Sequence, residues 1–153
     1  MLLKFNEKRR LTAIHGFKRY LVAAPDPERK MPHSILVADD SPVTRETLSR
    51  VFKTEPDYDL CAQAVNGREA IDLAIKHRPE LIILDLVMPE VNGMEASQQL
   101  KEIMPDVPII LFTQYPDLPK ALRHGQLPID CVVSKDDAAS LLTHVKSLLQ
   151  SDE

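Results

Sequence analysis

The stretch Leu81-Ile82-Ile83-Leu84-Asp85-Leu86-Val87-Met88-Pro89 decides how this chain is read. Four apolar residues without polar alternation mark a strand covered on both faces, the habit of a parallel sheet. That strand ends on a carboxylate. Three further apolar runs lead to polar residues in the same way. Asp39-Asp40 follows Ile35-Leu36-Val37, Thr113 follows Ile109-Ile110-Leu111-Phe112, and Lys135 comes after Cys131-Val132-Val133. In a parallel sheet the carboxyl ends of the strands share one edge, and ligands bind there. Such an edge would gather three carboxylates, a hydroxyl and an ammonium. These groups suit a divalent cation together with a phosphoryl group.

Working outward, apolar runs at 35–38, 60–65, 81–84, 108–112 and 131–134 alternate with stretches of helical period. Ser41 is placed to cap the first helix, with Pro42 at its first position and Leu48, Val51 and Phe52 along one face. Asn66 and Glu69 have the spacing of a capping box before Ala70, Leu73 and Ala74. Gly93 is expected to precede a third helix carrying Ala96, Leu100 and Ile103, which stops near Pro105. Pro116, Pro119 and Pro128 leave room for only a short fourth helix, around 118–124. Asp136 or Asp137 should cap the fifth, with Leu141, Leu142, Val145 and Leu148 facing inward. This alternation predicts a doubly wound α/β sandwich.

The 153 residues suit one domain with a short appendage. No apolar stretch approaches the ~20 residues that span a bilayer, and His15, Gly16, Lys18 and Arg19 break any signal-peptide core. Cys61 and Cys131 each fall within a predicted strand and read as small buried hydrophobes of a reducing compartment. No Cys/His spacing suggests zinc. Charge is split along the chain. Residues 1–30 hold eight Lys/Arg against three Asp/Glu, and residues 31–153 hold eleven against twenty. Leu11, Ile14, Phe17 and Leu21 permit a short amphipathic helix, and residues 23–32 read as a linker. A flexible leader is favoured over a basic arm for nucleic acid or acidic lipid, because the charge carries no further pattern.

A carboxylate attacks phosphorus to give an aspartyl phosphate, and a dication can neutralise the developing charge. Taken singly, each polar residue has a plain structural role as a helix cap, a β-branched strand end or a surface lysine. Their joint placement at successive strand ends favours a site.

Residues 34–150 resemble the receiver domain of bacterial two-component response regulators. The resemblance rests on Asp39-Asp40, on Asp85 within Asp85-Leu86-Val87-Met88-Pro89-Glu90-Val91-Asn92-Gly93, on Thr113 and on Lys135, at intervals of 45, 28 and 22 residues. It implies a flavodoxin-like three-layer sandwich, with five parallel strands in the order 2-1-3-4-5, two helices on one face and three on the other. It also implies Asp85 as phosphoacceptor. Mg²⁺ or Mn²⁺ would be held by Asp39, Asp40, Asp85 and the Val87 carbonyl, with Thr113 and Lys135 on the phosphoryl group. The implied phosphodonor is a histidine kinase or histidine phosphotransfer protein. The protein would be cytoplasmic and would act as a signalling receiver, not as an enzyme beyond its own phosphotransfer and autodephosphorylation. Residues 1–33 would form a basic extension and 151–153 a tail. Downstream lies an output protein or a missing output domain, with a phosphorylation-linked homodimer a further expectation. Neither nucleic acid nor membrane is expected to bind the receiver directly.

The sequence departs from the family pattern. Val132 occupies the usual aromatic switch position, Asp136 follows the lysine where proline is frequent, and Pro128 stands where glycine is frequent. Val87 and Tyr115 flank the expected path of attacking water and lack a carboxamide, so slow loss of phosphate is expected. An aspartate-nucleophile phosphatase is disfavoured because Val87 stands where its second Asp is needed. A non-phosphorylated protein-binding scaffold, or the excised receiver of a DNA-binding regulator, are the remaining alternatives.

Overall fold

The computed structural model describes residues 24, 26–117 and 128–150. By its contacts the chain divides into two units, Met1–Met31 and Pro32–Glu153; the architecture below is that of the second. Its elements are β1 (His33–Ala38), α1 (Pro42–Lys53), β2 (Tyr58–Ala64), α2 (Gly67–His77), β3 (Leu81–Leu84), α3 (Gly93–Ile103), β4 (Ile109–Thr113), β5 (Cys131–Ser134), a 3₁₀ turn (Lys135–Asp137) and α4 (Ala138–Gln150). The five strands are parallel, in the order β2-β1-β3-β4-β5.

Strand periodicity divides the apolar residues between two layers. Leu36, Ala38, Ile82, Leu84, Ile109 and Leu111 pack with Ala70, Ile71 and Ala74 of α2 and with Ala96 and Leu100 of α3. Their neighbours Ile35, Val37, Leu81, Ile83, Ile110 and Phe112 pack on the other face with Leu48 and Phe52 of α1 and with Leu141, Val145 and Leu149 of α4. Each fully buried Leu or Ile contributes roughly 1.5–3 kcal/mol. The short helix expected around 118–124, the amphipathic helix near the N-terminus and the tail at 151–153 lie outside the described residues.

Helix starts follow the sequence with local differences. Ser41 Oγ accepts the Thr44 amide, and Pro42 begins α1. Asn66 Oδ1 accepts the Glu69 amide at 2.8 Å, while Glu69 Oε2 returns to the amide of Val65, one residue before the cap. Gly93 does not precede α3 but is its first residue. The cap is Asn92, whose Oδ1 accepts the amides of Met94 and Glu95. Before α4, Ser134 Oγ accepts the Asp136 amide to open the 3₁₀ turn, and Asp137 Oδ1 accepts the Ser140 amide at 3.4 Å.

Both cysteines are half-buried and not sealed in the core. They lie on β2 and β5, which among the described residues pair with a strand on one side only. Cys61 is the extra residue of a β-bulge: Ile35 pairs with Leu60 and Leu36 with Ala62. Its thiol donates to the Ile35 carbonyl at 3.4 Å, near where the ladder slips. Bulges of this kind twist an edge strand and discourage pairing with another chain.

Two polar ties at the amino edge of the sheet set strand register, and through it the opposite edge. Glu80 Oε2 accepts the Ser34 amide at 2.8 Å and Oε1 lies 3.1 Å from His33 Nδ1, joining β1 to the start of β3. Burial opposes ionisation of Glu80, but the Ser34 amide and His33 hold its carboxyl below the usual range. Asp130 Oδ2 accepts the Ile109 amide and Lys101 Nζ, at 2.8 and 3.0 Å, joining β4 to the start of β5.

Candidate phosphoacceptor site

The site is built at the carboxyl edge of β1, β3, β4 and β5. The strands carry on past their last ladder residues through backbone bonds that hold the site. The Asp39 amide donates to the Ala64 carbonyl at 3.1 Å, and the Asp85 amide to the Ala38 carbonyl at 2.8 Å. Asp39 and Asp85 are buried, Asp40 is exposed, and oxygen atoms of all three lie within 4.8 Å of one another. Lys135 reaches across from the end of β5. Its Nζ lies 2.7 Å from Asp39 Oδ2 and 3.1 Å from Asp85 Oδ2.

Three carboxylates beside one ammonium leave negative charge in excess. Burial pushes the Asp85 carboxyl above its ordinary range, and the charge of Asp39 adds to that push. Lys135 and the Leu86 amide pull the other way without cancelling it. Burial pulls Lys135 down, but close contact with Asp39, joined by the charge of Asp85, holds its ammonium above the usual lysine range. Asp39 Oδ1 accepts the Ser41 amide at 2.8 Å. Asp39 Oδ2 is buried and takes no well-directed hydrogen bond among the described residues. Its 2.7 Å contact with Lys135 is an ion pair that neutralises charge but leaves a lone pair unused. A buried, under-coordinated carboxylate oxygen among hard oxygen donors fits a small dication.

The β3–α3 loop is shaped by close backbone packing. A Cβ on Gly93 would lie 2.1 Å from the Asp85 carbonyl oxygen, and one on Gly67 would lie 2.1 Å from that of Val91. The Gly93 amide donates to the Leu86 carbonyl at 2.9 Å and the Gly67 amide to that of Val91 at 3.0 Å. Between them Glu90 sits at φ 66°, bridged by a 2.9 Å bond from the Val91 amide to the Pro89 carbonyl, a three-residue turn. The glycine of the Asp-x-x-Met-Pro-x-x-x-Gly block is thus required by contact with the aspartate's own carbonyl.

The crevice above Asp85, about 210 Å³, is lined by Asp40, Ser41, Thr44, Asp85, Val87, Gln114, Tyr115 and Lys135. Asp39 and Thr113 are buried and do not line it. The Thr113 hydroxyl accepts the Tyr115 amide at 3.1 Å. Of the residues singled out from sequence, Asp39, Asp40, Asp85, Val87, Thr113, Tyr115 and Lys135 converge on this edge. Val132 does not line the crevice; it is partly exposed on the β5 edge strand. Three contributors were not anticipated. Arg45 donates from Nη1 to the Asp39 carbonyl at 2.8 Å, and Thr44 and Gln114 line the crevice wall. Gln114 adjoins Thr113 in sequence, which was the available signal.

The fold and this edge define a receiver. The response regulator receiver domain family matches residues 35–146, and the chain belongs to that family. It is 44% identical over 109 residues to protein-glutamate methylesterase/protein-glutamine glutaminase 3 of Paramagnetospirillum magneticum, an alignment spanning 70% of this chain and 30% of that protein. It is 35% identical over 112 residues to the transcriptional regulatory protein YdfI of Bacillus subtilis, spanning 73% and 52%. The chain thus spans about a third of one relative's length and about half of the other's. Among solved structures it resembles the CheX-CheY-BeF3-Mg+2 complex of Borrelia burgdorferi, with TM-score 0.67 and 25% identity over 78% of this chain and 90% of that one. No helix among the described residues is long and apolar enough to cross a membrane.

Proposed function

We propose that this chain is a working phosphoacceptor receiver, phosphorylated on Asp85. The observation that carries the reading is the Lys135 ammonium shared between Asp39 and Asp85, with Asp40 beside them. Asp85 is the buried carboxylate that lines the crevice, and its oxygen is the nucleophile towards phosphorus. Asp39, Asp40, Asp85 and the Val87 carbonyl would hold Mg²⁺ or Mn²⁺. The dication supplies charge neutralisation at the acceptor. Lys135 pairs with the incoming phosphoryl oxygens, and the Thr113 hydroxyl turns towards them as the switch. The phosphodonor is a histidine kinase or histidine phosphotransfer protein in the cytoplasm. The readout is a partner or an output domain, with homodimerisation as one route.

A second reading, a scaffold that works unphosphorylated, is favoured by one observation. Val132, small and partly exposed, stands where an aromatic would couple Thr113 to the surface. A titration with beryllium fluoride and Mg²⁺, followed by amide NMR, separates the two. The receiver reading expects saturable shifts at Asp85, Thr113 and Lys135, reversed by EDTA and absent in Asp85→Asn. A spectrum unmoved at these positions would favour the scaffold.

A further inference from the structure

We propose that Gln114 orients the water that removes the phosphoryl group from Asp85, and so sets the lifetime of the signal. This rests on Asp85 being the acceptor. In the hydrolysis, the water oxygen bonds to phosphorus as the phosphorus–oxygen bond to Asp85 breaks. The Asp85 carboxylate leaves as an anion, and the water's protons stay with the departing inorganic phosphate. No protein base is needed, so the protein's contribution is placement of the water.

The attacking water must stand on the side of phosphorus away from Asp85, at the mouth of the crevice. The groups available there are few. Asp40 belongs to the carboxylate cluster and Lys135 is paired with Asp39 and Asp85. The Ser41 oxygen already accepts the Thr44 amide, which leaves it one proton to donate. Val87 has no polar side-chain atom, and the Thr44 and Tyr115 hydroxyls that also line the crevice offer a single proton each. Gln114 is exposed, lines the crevice, and makes no side-chain hydrogen bond among the described residues. A carboxamide offers both an acceptor for a water proton and donors for a phosphoryl oxygen, and it is neutral at every working pH. A glutamine serves in this way in some nucleotide hydrolases.

The placement of Gln114 is also fixed. It follows Thr113, the buried last residue of β4, whose pairing with β3 sets it beside the strand that carries Asp85. On its other side the Tyr115 amide is pinned to the Thr113 hydroxyl at 3.1 Å. Backbone held on both sides limits the arc the carboxamide can sweep. The carboxamide that Val87 and Tyr115 do not offer is supplied one residue earlier.

The test is to load the protein with phosphoramidate and Mg²⁺, remove the donor, and follow loss of the phosphoryl group by intact mass. Gln114→Ala is expected to retain it about three- to tenfold longer, the worth of one oriented hydrogen bond in a rate. Gln114→Asn should recover part of the wild-type rate. Beryllium fluoride binding involves no water attack and should change less than the rate; a parallel loss would mean a distorted crevice and would overturn the proposal. An unchanged or faster loss in Gln114→Ala would also overturn it, as would slowing by Thr44→Val alone. A wild-type protein that takes up no phosphoryl group would sink the acceptor reading and this proposal with it.

Discussion

Replacing Lys135 by alanine is expected to lower the stability of the metal-free protein by about 3 kcal/mol. The sign follows from burial. Asp39 and Asp85 are 1% and 6% exposed, and the Lys135 ammonium contacts both, at 2.7 and 3.1 Å. Without it two nearly buried carboxylates are left close together with no lysine charge to offset them. Removing one member of a buried charge set costs far more than the set contributes over an apolar substitute. Urea unfolding in EDTA reads the loss directly. Millimolar Mg²⁺ should return part of it, because a cation among the carboxylates replaces the missing charge. The same variant should accept phosphoryl groups at least about tenfold more slowly, the cost of one charge-assisted hydrogen bond. An unchanged midpoint in EDTA would mean that Lys135 is solvated and that the carboxylates do not strain the fold.

Gly93→Ala is expected to be costly for a different reason. The new Cβ would meet the Asp85 carbonyl oxygen at 2.1 Å and the Leu86 Cα at 3.0 Å. These are backbone atoms, so no side chain can swing aside. The backbone at Gly93 is not in the left-handed region, so the penalty is contact and not φ. Alanine gains at most about 1 kcal/mol of helix propensity over glycine, while forced overpacking costs about 1–3 kcal/mol and sometimes more. Relief requires the β3–α3 loop to move away from α3, taking Asp85 and Val87 with it. The variant should therefore be less stable and should bind beryllium fluoride with Mg²⁺ more than about tenfold more weakly. A variant as stable as wild type, with unchanged binding, would mean that the loop yields without moving the acceptor.

Much of this site was legible because strand ends in a parallel sheet are collected by topology alone. Once Leu81–Leu84 and Ile109–Thr113 are strands, Asp85 and Thr113 must share an edge with Asp39. Helix caps were legible where a side chain bonds its own neighbours, as Asn66 does with the Glu69 amide. What stayed hidden depends on contacts between residues distant in sequence. Nothing local to Gly67 announces the Val91 carbonyl that excludes a Cβ there. The bulge at Cys61 is a property of the pairing between β1 and β2, not of either strand. Cys61 and Cys131 looked buried because apolar runs do not reveal which strands lie at the sheet edges. Gln114 was passed over because a polar residue after a strand reads as ordinary loop until the crevice it lines is seen.

The central claim is that Asp85 accepts a phosphoryl group in a cation-assisted reaction. The measurement that tests it most directly is intact mass after incubation with phosphoramidate, with Mg²⁺, with EDTA, and in Asp85→Asn. The mass of one phosphoryl group should be added to the wild-type protein with Mg²⁺, and neither EDTA-treated protein nor Asp85→Asn should gain it. Folded wild-type protein that gains no mass with Mg²⁺, or an Asp85→Asn variant that gains as much as wild type, would contradict the account.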